Sequence, residues 1–141
     1  MANPVPDGVY SIQLPFGGSS ITDTGEGRYI SLLPPGELGE DADKIQVAYK
    51  HEKGAYSFRF EKSKKYLTWE GDLRMNTKLI DGDKPRYFRI TKHDFQEDGF
   101  TIIAAEDKQY HVGLALERIF PPWVALSNFP EKQPWLFKGV Y

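Results

Sequence analysis

At 141 residues, with 40% hydrophobic and 27% charged side chains, the chain has the length of one ordinary domain and enough apolar matter for a core without staples. A formal net charge of −2 excludes the broadly basic face that a nucleic-acid groove requires, so no nucleic-acid partner is expected. The lack of cysteine excludes disulfides and thiol catalysis.

The chain opens on Met1-Ala2-Asn3-Pro4-Val5-Pro6, which has neither the basic nor the apolar region of a signal peptide, and the cytosol is the expected compartment. No later stretch approaches the ~18 apolar residues of a membrane span, so no membrane partner is expected. Frequent glycine (13) and proline (10), with 14% aromatics, suit many short strands joined by tight turns.

Gly8-Val9-Tyr10-Ser11-Ile12 reads as a first strand, followed by the turn Pro15-Phe16-Gly17-Gly18 and a second strand at Ser20-Ile21. A glycine-rich loop, Gly25-Glu26-Gly27-Arg28-Tyr29, leads into a third strand at Ile30 to Leu33, and Ile45-Gln46-Val47 forms a fourth. The series then repeats. Gly54-Ala55-Tyr56-Ser57-Phe58 and Gly99-Phe100-Thr101-Ile102 restate the first strand, and the anchors Tyr10, Tyr56 and Phe100 are 46 and 44 residues apart. Second strands recur at Tyr66-Leu67 and Tyr110-His111-Val112, and third strands at Thr77 to Ile80 and Val124 to Ser127. Leu32, Leu79 and Leu126, spaced by 47 and 47, are read as equivalent. Fourth strands recur at Phe88-Arg89-Ile90 and Trp135-Leu136-Phe137, each with two apolar side chains on one face.

The reading is therefore all-β: one domain over residues 1–141, with twelve short strands in three pseudo-symmetric four-stranded units at about 7–52, 53–96 and 97–141. One such unit cannot bury its apolar face alone, so the three must pack about a common axis. This arrangement resembles the β-trefoil, a six-stranded barrel capped by three hairpins. The last strand, at the chain end, is expected to close against the first.

Catalytic chemistry is not expected. The three histidines, His51, His93 and His111, show no metal-ligand spacing, and the first two are read as turn residues. No Gly-x-Ser-x-Gly occurs, and Gly17-Gly18-Ser19-Ser20 lacks the lysine of a phosphate loop. No catalytic residue, metal or cofactor is assigned.

Function is sought in the connections instead. Arg28, Arg74 and Arg118 each fall 18 residues after their anchor. One of them is a candidate reactive-site residue for the acidic S1 pocket of a trypsin-like protease. The plainer reading is an arginine inherited by every unit to order its hairpin.

The segment Gly27-Arg28-Tyr29-Ile30-Ser31-Leu32-Leu33-Pro34, behind Asp7-Gly8-Val9-Tyr10-Ser11-Ile12, resembles the first unit of the fungal mycospins, cysteine-free β-trefoil inhibitors of serine proteases, as does the closing Trp135-Leu136-Phe137. The resemblance implies a protease partner bound through Arg28, with Glu26, Gly27 and Tyr29 beside it, and Arg74 and Arg118 as alternatives. The related mycocypins inhibit papain-like cysteine proteases through a glycine pair between strands one and two, which corresponds here to Gly17 and Gly18. The rival reading is a lectin with a glycan partner. The Gln-x-Trp of ricin-B-type trefoils is missing, but Trp69 and Trp123 stand at loop edges as candidate stacking platforms for sugar, while Trp135 reads as core.

Overall fold

The computed structural model describes residues 4–25 and 27–140; Glu26, one of the candidates beside Arg28, lies outside the described residues. Twelve strands follow in chain order: β1 (Gly8–Gln13), β2 (Ser20–Thr22), β3 (Ser31–Leu33), β4 (Ile45–Lys50), β5 (Ala55–Phe60), β6 (Tyr66–Thr68), β7 (Ile80–Gly82), β8 (Phe88–Lys92), β9 (Phe100–Ala104), β10 (His111–Leu114), β11 (Val124–Ser127) and β12 (Leu136–Gly139). Among the described residues there is no helix.

The long strands alternate as a two-sided sheet must. Ile45 and Val47 are buried around exposed Gln46, and Phe88 and Ile90 around exposed Arg89. Six of these strands close a barrel by antiparallel pairing in the order β1, β4, β5, β8, β9, β12 and back to β1. Closure depends on the end of the chain. Phe100 and Trp135 exchange two backbone hydrogen bonds of 2.8 Å, and Ser11 to Gln13 pair with Lys138 to Leu136. Trp135 is fully buried, and its Nε1–H donates to the Val112 carbonyl at 3.0 Å, which ties the barrel to the layer above it. Phe137 meets Tyr10, Phe58 and Phe100 edge to face.

The other six strands form three hairpins, β2–β3, β6–β7 and β10–β11, which cap one end of the barrel. They meet around the axis in a closed ring of backbone hydrogen bonds: Ile30 N–H to Leu79, Leu79 N–H to Val124 and Val124 N–H to Ile30, each 2.9 Å. This ring corrects the register expected from sequence. Leu79 is the equivalent of Ile30 and Val124, not of Leu32 and Leu126; the position facing Leu67 on β6 is Asp81. β7 accordingly begins at Ile80 instead of Thr77, because the connection from β6 is longer than in the other hairpins and shifts the apolar residue along it.

His111 occupies a buried site on β10, 1% exposed. Its Nε2 meets the Phe129 carbonyl at 3.0 Å and so carries the hydrogen, while Nδ1 has no partner. Burial pushes the imidazole below its ordinary value; the Phe129 contact opposes this and Lys132 adds to it. A histidine with a depressed native pKa takes up its proton more readily when unfolded, so stability is present above the unfolded value of 6.5 and falls as pH drops through it. The melting temperature is expected to decline between pH 7.5 and 5, and His111→Gln is expected to flatten that part of the profile.

Candidate functional site

The hairpin cap carries two clefts, and the ridge Gly27–Arg28–Tyr29 is the wall between them. The smaller, of about 580 Å³, lies between the β2–β3 hairpin, Leu38 of the connection to β4, and Pro121 and Trp123 at the start of β11. The larger, of about 1160 Å³, lies on the other side, against the β6–β7 hairpin and residues 83–86.

The axial ring explains why there are two. The bridges Tyr29↔Ile80, Lys78↔Ala125 and Trp123↔Ser31 make Tyr29, Lys78 and Trp123 equivalent: each is the residue before the ring position, and each overhangs the next hairpin. Trp123 overhangs the smaller cleft and Tyr29 the larger. At the third position Lys78 pairs with Glu117, Asn76 Nδ2 donates to Glu117 at 3.0 Å, and Asn76 Oδ1 accepts from Leu116 N–H at 2.8 Å. This network spans the third junction. The Lys78 ammonium, and then the Asn76 amide, hold the Glu117 carboxyl below its ordinary value.

In the smaller cleft the rings of Tyr29 and Trp123 stand nearly perpendicular, 4.9 Å between centroids at 81°. Trp123 is half-buried, and Tyr29 is 43% exposed. Thr24 and Ser31 both donate their hydroxyl hydrogens to the Tyr29 carbonyl, at 2.7 and 3.1 Å. The half-buried Thr24 oxygen is thereby left as an acceptor at the cleft wall, which with the exposed Arg28 as donor makes a surface apolar on one side and polar on the other.

Of the residues singled out from sequence, Gly27, Arg28 and Tyr29 line both clefts, Trp123 lines the smaller and Trp69 the larger. Trp69 is only 2% exposed: the Arg86 guanidinium lies 4.4 Å from its ring centre and Phe88 packs edge-on, so no open face is left for a sugar. Arg74 and Arg118 are exposed and line neither cleft; Arg74 lies 4.0 Å from Asp72. The axial ring also undoes their equivalence, since Arg28, Arg74 and Arg118 stand two, five and six residues ahead of Ile30, Leu79 and Val124. Arg28 closes a tight turn, its N–H bonded to Gly25 at 3.2 Å with Gly27 at φ 78°, which is not the extended backbone that a protease cleft receives. Gly17 and Gly18, at φ 83° and 70°, sit in the β1–β2 turn, where a left-handed backbone is itself sufficient reason for glycine.

Sequence reading passed over Thr24, Ser31, Leu38, Lys78 and Arg86. Thr24 and Ser31 flank residues it did select, but their roles follow only from the hydrogen bonds to Tyr29. Leu38 and Arg86 arrive from connections after the hairpins.

A six-stranded barrel, three capping hairpins and a threefold axis define the class: the chain is a β-trefoil. No protein-family model matches the sequence, and no curated protein matches it. Among solved structures, it is similar to the ricin B-like lectin of Macrolepiota procera, solved in complex with lactose, at 22% identity and a TM-score of 0.83, covering 98% of this chain and 100% of that one. The Rhizoctonia solani agglutinin matches at 18% identity and a TM-score of 0.82, over 99% and 100% of the two chains. The Polyporus squamosus lectin, bound to the sialylated epitope Neu5Aca2-6Galb1-4GlcNAc, matches at 16% identity and a TM-score of 0.76, over 96% of this chain and 50% of that one.

Proposed function

We propose that this β-trefoil is a carbohydrate-binding protein that holds a neutral glycan in the smaller cleft and carries out no reaction on it. The observation that carries the reading is the Tyr29–Trp123 pair beside two hydroxyls whose hydrogens are already committed. A pyranose has an apolar face of C–H groups and a rim of hydroxyls. Trp123 offers an aromatic ring to match that face, more exposed than Trp69 and with the Lys78 ammonium farther off, 6.0 Å from the ring centre. Thr24 accepts from the rim and Arg28 donates to it, while Ser31, 4% exposed, serves to hold the Tyr29 carbonyl. The comparison structures solved with lactose and with a sialylated epitope support the carbohydrate-binding class, without bearing on the cleft or on the sugar's charge. The protease-inhibitor reading gains no support from them, and the tight turn at Arg28 argues against it.

A glycan array, followed by titration of lactose into the full chain, tests this reading with trypsin and papain assayed in parallel. Glycan binding without inhibition of either enzyme is the expected result. Silence on the array, together with trypsin inhibition that Arg28→Ala abolishes, would overturn it in favour of protease inhibition.

A further inference from the structure

The neutral-glycan reading leaves the larger cleft unused. It is the threefold image of the smaller one, with the chemistry of each wall position changed. Tyr29 replaces Trp123, Ile80 replaces Ser31, and Gly82 replaces Leu33. Gly82 keeps the cleft wide, and the position cannot be filled cheaply: a Cβ there would stand 2.7 Å from Thr68 Cγ2. After β7 the chain returns to the barrel through residues 83–87, whereas after β3 it uses 34–44, so the wall position that Leu38 occupies is taken by the charged segment around Lys84 and Arg86.

Five cations line the larger cleft, Arg28, Lys65, Lys78, Lys84 and Arg86, against the acids Glu70, Asp81 and Asp83. With Lys78 and Arg86 answered by Glu117 and Glu106, the cations Arg28, Lys65 and Lys84 share the lining with an equal number of acids, so any preference for an anion must come from where the exposed cations stand and not from net charge. Lys78 and Arg86 are fixed from outside by Glu117 and Glu106, and Arg86 also donates to the Gly71 carbonyl at 3.0 Å. These two therefore shape the wall, and the exposed side chains of Arg28 and Lys84 are left to meet a ligand.

We propose that the larger cleft is a second glycan site, selective for an acidic sugar whose carboxylate or sulfate is held by Arg28 and Lys84. This rests on the carbohydrate-binding reading above. Charge-assisted hydrogen bonds from a guanidinium and an ammonium favour an oxyanion over a hydroxyl. The carboxylates of Glu70 and Asp83, in the same lining, can accept from sugar hydroxyls.

The test is calorimetric titration of the full chain with lactose, 3′-sialyllactose and 3′-sulfated lactose. At least one charged probe is expected to bind tenfold more tightly than lactose, and to stay bound under saturating lactose. That gain should shrink as salt shortens the screening length from ~10 Å at 0.1 M to ~3 Å at 1 M. Lys84→Glu, with an unchanged melting temperature as the folding control, is expected to remove the gain. A response to sialyllactose alone assigns the anion as a carboxylate; a response to the sulfated probe alone assigns it as a sulfate. Charged probes no tighter than lactose, complete displacement by lactose, or a Lys84→Glu protein that keeps the gain would each overturn the proposal. Failure of every neutral glycan to bind the unmodified protein would instead overturn the reading of the smaller cleft.

Discussion

Trp123→Ala is expected to weaken glycan binding at the smaller cleft by about 2 kcal/mol, roughly thirtyfold, the scale of an interfacial aromatic anchor. Among the described residues the indole supplies the only large flat apolar surface of that cleft besides Tyr29, and the two stabilise each other edge to face. Its removal costs ring contact with the sugar and also loosens the Tyr29 wall. Trp123→Phe, which keeps a ring, is expected to recover most of the affinity. The check is calorimetric titration with a glycan that binds the unmodified protein, alongside thermal melting. Unchanged affinity in a folded Trp123→Ala protein would remove the aromatic platform from the mechanism.

Trp135→Ala is expected to be the most destabilising single truncation in the barrel, at about 4 kcal/mol, a large part of the roughly 5–15 kcal/mol that holds a domain folded. Three losses coincide at this residue. A fully buried ring leaves a cavity at the seam where the barrel closes. The Val112 carbonyl loses its indole donor in a buried setting. The seam itself is short, a single bridge between Phe100 and Trp135 before β12 turns to pair with β1. The melting temperature should fall by roughly 10–15 °C. Trp135→Phe separates these terms: it restores most of the volume but not the hydrogen bond, so about 1–3 kcal/mol of loss should persist. A Trp135→Phe protein as stable as the unmodified one would show that the indole donor adds nothing.

The architecture was legible because its signals are periodic. Tyr10, Tyr56 and Phe100 occupy the same barrel position, as do Ile45, Phe88 and Trp135, and both sets could be counted. Counting failed in the hairpins, where connection lengths differ between units. Leu79 looked like the partner of Leu32 because both are leucines at an attractive interval, yet backbone hydrogen bonding at the axis places it with Ile30. The apparent arginine triplet has the same origin, a distance measured from the wrong end of loops of unequal length.

The site was less legible than the fold. Gly27, Arg28, Tyr29 and Trp123 were found from sequence as unrelated candidates, and only the axial register shows that Tyr29 and Trp123 are neighbours across a unit boundary. Trp69 illustrates the opposite error. Its place beside a loop suggested exposure, but Arg86, seventeen residues later, folds over it.

The ridge of Gly27, Arg28 and Tyr29 has two sides, and each belongs to a different cleft. A guest that draws this ridge toward itself alters the room and the charge offered to a guest on the far side. Whatever factor one occupant imposes on the affinity of the other is returned unchanged in the reverse direction, because coupling free energy is a property of the pair. On the two-site proposal the two binding constants would be joined through three residues of backbone, and a glycan long enough to reach over the ridge would engage both halves of that linkage as one molecule.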